Sequence, residues 1–322
     1  MKVGSFFSGV GGFELGILDA FQKAEIVCYS EICRDAERIY LKHFPSHAGL
    51  NYGDIDRLVF DVIKGKKVVN EARVNALPDF DLMVGGSPCQ DLSISKKGRQ
   101  GLDGEKSSLF YAYVNILAIK RPKWFCLENV GTMSIADRDK ITSILKVQPI
   151  ELNASLFSAQ NRSRLLWTNW PINKPEDAGV ILERNGVPVH AWSKSFRNNK
   201  KTGITSMDER IRINGKSNAV TCSMGAMESC DFIPDKKMEF APRKVFERSD
   251  LFFYQIKDSW LLTFEEKEFL QTFPKGWTAK ETNNIRQRVL GNAVPPKMIA
   301  HVMKCLKKHI DELKEKDIRY TV

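Results

Sequence analysis

Short apolar runs alternate with amphipathic stretches through the first half of the chain. The runs predict strands, which lie at Lys2 to Phe7, Ile26 to Tyr29, Phe80 to Val84 and Trp124 to Leu127. Apolar positions at helical spacing predict a helix after the first strand and another from Leu109 to Leu117. Strands alternating with helices are typical of a sheet covered on both faces. We therefore predict an α/β fold with a doubly wound, mostly parallel, Rossmann-like sheet.

Polar residues follow three of these strands directly. Glu31 follows the second strand, the Ser87-Pro88-Cys89 loop comes after the third, and Glu128 follows the fourth. In doubly wound sheets, ligands bind at the carboxyl ends of the strands. These polar residues are therefore expected to share one site.

The periodic pattern is lost from about Pro171 to Tyr254, which predicts a second, smaller lobe. Regular spacing returns at Thr263-Phe264-Glu265-Glu266, a capping box that predicts a helix through Phe269, Leu270 and Phe273. A final helix carries one apolar stripe, which we expect to pack on the sheet of the first lobe. The stripe contains Ile299, Val302, Met303, Leu306, Ile310 and Leu313. The predicted division is 1–170, 171–254 and a return segment at 255–322.

Composition is ordinary for a folded protein, but the charge is unbalanced. The 322 residues are 43% hydrophobic and carry 49 Lys and Arg against 39 Asp and Glu. Seven basic residues and two acidic ones lie between Lys194 and Lys216, which favours a polyanionic partner for this stretch. No stretch approaches a membrane-spanning length, so a cytoplasmic location without membrane association is expected. The seven cysteines form no CxxC pair, and neither a metal site nor a disulfide framework is expected.

The glycine-rich turn Ser8-Gly9-Val10-Gly11-Gly12 predicts a nucleotide-like cofactor. Such a turn brings backbone amides close to a ligand at the N-terminus of a helix, although a purely structural tight turn has the same sequence features. Glu14 stands where the dinucleotide fingerprint requires its third glycine, which argues against a dehydrogenase. Glu31 is placed to accept hydrogen bonds from ribose hydroxyls.

Cys89 follows a proline in a loop after a strand, a setting that would hold a nucleophile rigid. A buried structural cysteine is the alternative, although Gly-Gly-Ser-Pro-Cys-Gln is polar and rich in turn residues. For Glu128-Asn129 the alternative is an exposed turn. Arg162 and Arg164 alternate along an expected strand and would then point to one face.

At this point the sequence resembles the DNA cytosine-5 methyltransferase family, with seven motifs in the family's order. They are Phe6 to Phe13, Gly53-Asp54-Ile55, Gly86 to Gln90, Glu128-Asn129-Val130, Gln160 to Arg164, Leu270 to Pro274 and Gly291 to Val294. Two positions depart from the usual pattern, since Ser5 replaces an Asp and Ala293 replaces a Ser.

The resemblance implies a covalent mechanism with base flipping. The Cys89 thiolate adds to carbon 6 of the flipped cytosine, Glu128 hydrogen-bonds to ring nitrogen 3, and Arg162 or Arg164 supplies a cation near the thiol. The implied cofactor is S-adenosyl-methionine, with S-adenosyl-homocysteine as product. Its implied contacts are Phe7, Ser8, Gly9, Val10, Gly11, Gly12, Glu31, Ile32, Asp54, Ile55, Pro88, Leu109, Asn292 and Val294.

The same resemblance implies that duplex DNA binds a closing loop and the lobe at 171–254, the target-recognition region. The implied DNA contacts are Gln90, Ser93, Lys96, Lys97, Arg99, Lys194, Arg197, Lys200, Lys201, Arg210, Arg212 and Lys216. A charged, solvated loop is the alternative for residues 90 to 106.

The expected protein is a monomeric DNA methyltransferase of a prokaryotic or phage-type cell, either an orphan or paired with a separate restriction endonuclease. A tRNA cytosine-5 methyltransferase and a catalytically silent DNA-binding regulator are the alternatives.

Overall fold

The computed structural model describes residues 1–88, 109–184, 187–198, 205–212, 219–220, 231–234, 245–246 and 262–319. Two compact units make up the chain. The first contains Met1–Asn153, Ser163–Pro175 and Ala293–Val322, and the second contains Ala154–Arg162 and Glu176–Asn292. The division predicted at 171 and 254 stays a prediction, because much of 213–261 lies outside the described residues.

A six-stranded sheet forms the centre of the first unit, with the strand order β2-β1-β5-β6-β8-β7. Its strands are β1 (Lys2–Phe6), β2 (Glu25–Ser30), β5 (Leu82–Gly86), β6 (Trp124–Val130), β7 (Ile150–Asn153) and β8 (Ser163–Thr168). The first four are parallel, and β8 is antiparallel to both β6 and β7. Most of their residues are buried, which explains the continuous apolar runs. The predicted α/β class and mostly parallel sheet are confirmed.

The helices of this unit surround the sheet. They are α1 (Gly12–Ala20), α2 (Arg34–His43), α3 (Ile55–Val59), α4 (Glu71–Asn75), α5 (Leu109–Lys120), α6 (Ile135–Leu145) and α9 (Pro296–Arg319). A hairpin of β3 (Phe60–Ile63) and β4 (Lys66–Val69) follows α3. Buried side chains of α3, α4 and α5 join those of β1, β5 and β6 in one hydrophobic cluster.

The described part of the second unit contains antiparallel strands and two helices. The strands are β9 (Glu183–Arg184), β10 (Val187–Asn198), β11 (Thr205–Arg212), β12 (Asp231–Pro234) and β13 (Val245–Phe246). The order is β12-β10-β11-β13, with β9 also paired to β10. The helices are α7 (Phe264–Leu270) and α8 (Asn283–Asn292).

Two sequence predictions about these elements are wrong in detail. Strand β6 does not end before Glu128 but runs to Val130, because β8 pairs with it over this length. Helix α7 ends at Leu270 instead of including Phe273, since Thr272 takes a positive φ of 62°. The stripe of α9 packs against α1, and α9 also reaches the sheet, where His309 lies against Trp124 of β6.

Candidate functional site

The loop after β1 is held by the carboxylate of Glu31. Gly9 N–H donates to Oε2 of Glu31 at 2.8 Å, and Cys33 N–H donates to Oε1 at 2.7 Å. Ser8 Oγ donates to Oγ of Ser5 at 3.0 Å, so the serine that departs from the usual family pattern takes part in shaping the loop. The ends of β1 and β2 are thereby fixed to each other.

Asn51 connects the backbone of Glu31 to the next turn. Its Oδ1 accepts from the N–H groups of Glu31 at 3.0 Å and Gly53 at 2.9 Å. Asp54 then caps α3, because its Oδ1 accepts from Asp56 N–H at 2.9 Å. The side chain of Ile55 is buried in the hydrophobic cluster, so it anchors the start of α3 to the core.

Two glycines of the loop make close approaches. A Cβ at Gly11, where φ is 91°, would lie 2.5 Å from Cε2 of Phe44. A Cβ at Gly12 would collide with the carbonyl oxygen of Val294. The loop and the start of α9 therefore fit together only through glycine.

These residues fit a nucleoside-containing cofactor. Each oxygen of Glu31 accepts one backbone hydrogen bond and keeps a lone pair that a ribose hydroxyl can use. Ile32 beside it is 71% exposed, a flat apolar surface suited to a base. Burial raises the pKa of Glu31, and the amides of Cys33 and Gly9 act in the opposite direction. At Gly9 the space where a Cβ would project is open.

Asn129 fixes the segment that leads to Cys89. Its Nδ2 donates to Oγ of Ser87 at 3.0 Å and to the Ser87 carbonyl at 3.2 Å. Asn129 is 1% exposed, so these hydrogen bonds are shielded from water. Cys89 itself lies outside the described residues, but the chain immediately before it is anchored to β6.

Glu128 and Arg164 form a nearly buried ion pair on neighbouring strands. Arg164 Nε lies 2.7 Å from Glu128 Oε1, with side-chain exposures of 10% and 13%. Gly86 pairs with Glu128 across β5 and β6, and a Cβ at Gly86 would lie 2.7 Å from Oε2. The carboxylate is therefore held by this ion pair beside the end of β5.

Arg162 is placed differently from Arg164. It precedes β8, which begins at Ser163, so the prediction that the two alternate along one strand is wrong. Its Nη1 donates to the Val220 carbonyl at 2.8 Å and its Nη2 to the Gly291 carbonyl at 2.7 Å. All three residues belong to the second unit.

The remaining predicted cofactor contacts lie in both units. Phe7 has a positive φ of 60° directly after β1, Pro88 is the last described residue before the gap, and Leu109 begins α5. Asn292 ends α8 in the second unit. Val10 is buried in the loop itself.

Most predicted DNA contacts cannot be placed. Lys194 and Arg197 lie on β10, and Arg210 and Arg212 lie on the paired strand β11. The others lie outside the described residues: Gln90, Ser93, Lys96, Lys97, Arg99, Lys200, Lys201 and Lys216.

Sequence reasoning gave no role to three residues that shape these sites. Gly86, Asn129 and Gln160 each stood inside a quoted motif, but only the folded chain brings their partners close. The available signal for Asn129 and Gln160 was an amide side chain within a quoted motif.

No cluster of three or more metal-ligating side chains occurs among the described residues. The helices in the described ranges include none long and apolar enough to span a membrane.

Comparison with known proteins gives one family. The profile for C-5 cytosine-specific DNA methylases matches residues 1–167 and 176–308. An orphan methyltransferase of Bacillus phage rho11s, M.Rho11sI, is 33% identical over 175 residues, which is 51% of this chain and 32% of that protein. A type II methyltransferase of Bacillus subtilis, M2.BsuMI, is 36% identical over 149 residues, covering 45% and 33%. The chain thus spans about a third of the length of these curated relatives.

Solved structures show the same fold at low identity. A putative DNA modification methyltransferase from an E. coli prophage has a TM-score of 0.59 at 16% identity, covering 97% of this chain and 99% of that one. The methyltransferase EhMeth of Entamoeba histolytica has a TM-score of 0.61 at 18% identity, covering 96% and 98%. These likenesses show the fold alone.

Proposed function

The chain belongs to the C-5 cytosine-specific DNA methylase family, and from this premise we propose that it methylates carbon 5 of cytosine in a specific duplex DNA sequence. The ion pair of Glu128 and Arg164 beside the end of β5 carries the proposal. It supplies an oriented carboxylate next to the loop that continues into Cys89. A carboxylate and a thiol on neighbouring strand ends suit addition to a pyrimidine ring.

In the proposed mechanism Cys89 is the nucleophile. Carbon 5 of cytosine reacts poorly with electrophiles, so a sulfur to carbon 6 bond forms first and makes carbon 5 electron-rich. Glu128 shares a proton with ring nitrogen 3, where charge develops, and Arg164 holds the carboxyl group in place. After methyl transfer a base removes the carbon 5 proton, and the bond to Cys89 breaks.

The methyl donor we propose is S-adenosyl-methionine, which supplies an activated methyl group on a sulfonium. Glu31 would bind the ribose hydroxyls and Ile32 the adenine face. The glycine loop at 9–12 would hold the amino acid portion through its backbone. Asn129 would hold Ser87, two residues before Cys89, through its two hydrogen bonds.

Duplex DNA is the proposed substrate, bound by the lobe at 171–254 with its basic residues. The target base must leave the helix, because a stacked cytosine cannot be reached by a side chain. The relatives include an orphan methyltransferase and a type II methyltransferase. We propose that this protein is an enzyme of one of these two kinds.

A methyl-transfer assay tests the substrate. The protein is incubated with radiolabelled donor and, in separate reactions, with duplex DNA or tRNA. Label in DNA is expected, and bisulfite sequencing of the product then identifies the recognised sequence. Label found only in tRNA would make the DNA proposal wrong, and label in neither would favour a silent binding protein.

Cys89→Ala tests the nucleophile. We expect loss of methyl transfer by at least about a thousandfold, because no other group can form the carbon 6 bond. Cys305→Ser is the matched control and is expected to keep full activity. DNA containing 5-fluorocytosine should form a covalent adduct with wild type and Cys305→Ser only. An adduct with Cys89→Ala would refute the assignment.

A further inference from the structure

Val220 is a buried residue of the second unit whose peptide groups are both bound by side chains. Its N–H donates to Oε1 of Gln160 at 2.7 Å, and its carbonyl accepts from Nη1 of Arg162 at 2.8 Å. Buried backbone groups are normally paired within helices or sheets. Here two side chains, two positions apart, provide that pairing.

The same two side chains also bind the helices of this unit. Arg162 Nη2 donates to the Gly291 carbonyl in α8 at 2.7 Å. Gln160 Nε2 donates to the Leu270 carbonyl at 3.0 Å and to Oε1 of Gln271 at 3.2 Å, at the end of α7. We call Gln160, Arg162 and Val220 the Val220 brace. It joins one short loop, two helix ends and the 219–220 segment.

The loop that carries the brace is itself held by hydrogen bonds. Ala154 N–H donates to the Arg162 carbonyl at 2.9 Å and closes the loop. Ser158 Oγ donates to the Leu270 carbonyl at 2.8 Å. Gln160 is 0% exposed and Arg162 is 5% exposed. Little conformational entropy remains to be lost, so the brace can hold its partner segment without further ordering.

The guanidinium of Arg162 is used in a way that only arginine permits. Its planar fork reaches two carbonyl oxygens on separate elements at once, which the single ammonium of a lysine cannot do in the same geometry. A cation that activates a thiol through a hydrogen bond must instead direct a donor toward the sulfur. The observed hydrogen bonds therefore favour a structural partner over a thiol for this arginine.

We propose that Gln160 and Arg162 are positioning residues that set the 219–220 segment for reading DNA, and that Arg162 does not activate the Cys89 thiol. This proposal rests on the proposed function, since the DNA role of the lobe is part of it. Arg164, which binds Glu128 in the first unit, is the matched comparison.

The test uses Arg162→Lys, Gln160→Met and Arg164→Lys in the full chain. Hydrogen exchange of the peptide containing Val220 reports the brace without any need for activity. Methylation of the recognised duplex and of a single-mismatch duplex reports discrimination. The pH profile of adduct formation with 5-fluorocytosine DNA reports thiol activation.

Both brace variants are expected to speed exchange at Val220 and to lower discrimination about tenfold, the equivalent of about 1.4 kcal/mol. The KM for DNA should rise, while the midpoint of the pH profile stays in place. Arg164→Lys should lower kcat and leave discrimination unchanged. A simple loss of fold would not separate these parameters.

An upward shift of the pH midpoint in Arg162→Lys, with discrimination retained, would overturn the proposal. So would unchanged exchange at Val220 in both brace variants. If Arg162→Lys does not fold, Gln160→Met decides alone, because it leaves the guanidinium in place. A wild type that does not methylate duplex DNA would refute the proposed function and the DNA-reading step, while exchange would still decide whether the brace holds Val220.

Discussion

At the scale of single residues, Glu14 is a buried carboxyl with no cationic partner among the residues that the structure describes. It lies in the first turn of α1 and is 0% exposed. Burial raises the pKa of Glu14 to about 7, and the hydroxyls of Ser5, Ser8 and Tyr40 lower it only in part. The cofactor loop therefore rests on a group that changes charge near neutral pH.

Glu14→Gln is expected to remove a pH-dependent loss of stability. The pKa of Glu14 in the folded protein lies above the ordinary value of 4.5. Its contribution to the free energy of unfolding is therefore fully present below pH 4.5 and is lost as the pH rises through about 7. The full change corresponds to about 3 kcal/mol. Urea unfolding from pH 5 to 8 should show that the free energy of unfolding of the variant rises relative to that of wild type as the pH increases. The exposed Glu25→Gln is the control, and parallel curves for Glu14→Gln would contradict the prediction.

At the scale of elements, the sequence specifies where α7 begins but not where it ends. Thr263 and Glu266 form the predicted capping box, since both reciprocal hydrogen bonds are present. At the other end, Thr272 N–H bonds to the Phe269 carbonyl and Phe273 N–H to the Glu268 carbonyl, both at 2.9 Å. This is a Schellman motif with threonine in the place of glycine. Because no glycine marks this end, the sequence predicts a helix that continues beyond Leu270, where α7 ends.

The contact of α1 with α9 depends on one small residue. A Cβ at Gly16 would lie 2.6 Å from Cβ of Ile299 and 2.7 Å from the Pro296 carbonyl oxygen. Ile299 is fully buried, and α9 cannot retreat without losing its other buried side chains. The close approach explains why the stripe of α9 faces a helix.

Gly16→Ala is expected to lower the free energy of unfolding by roughly 1–3 kcal/mol through overpacking. Asp19→Ala, on the same helix, removes a half-exposed ion pair with Lys304 and should cost less than about 1 kcal/mol. Urea unfolding of both variants measures the difference. Equal, small effects would mean that the two helices can separate freely.

At the scale of the whole molecule, the excess of basic residues suits a nucleic acid partner. The formal charge is +10, and the stretch between Lys194 and Lys216 contributes seven basic residues. Binding to phosphates releases counterions, so affinity should fall steeply with salt.

Lys200→Ala with Lys201→Ala is expected to weaken DNA binding and to reduce the slope of log affinity against log salt by about two. The exposed pair Lys308→Ala with Lys316→Ala on α9 is the control and should leave the slope unchanged. Fluorescence titrations with duplex DNA at several salt concentrations give both slopes. Equal slopes for the two double variants would remove Lys200 and Lys201 from the DNA contacts.

Local sequence determined the parallel strands β1, β2, β5 and β6, the glycine turn, the start of α7 and the family. These features depend on periodicity and on residue types that act within a few positions, so they can be read without distant partners. The position of Glu31 and Glu128 directly after predicted strands also pointed to a common sheet edge.

Only the tertiary structure decided which partners these residues have. Arg162 and Arg164 look equivalent in the sequence, yet one binds the Val220 and Gly291 carbonyls and the other binds Glu128. Val220 lies 58 positions from Arg162 along the chain, and Gly291 lies 129 positions away. Hydrogen bonds between such distant residues follow from packing, which no local pattern encodes.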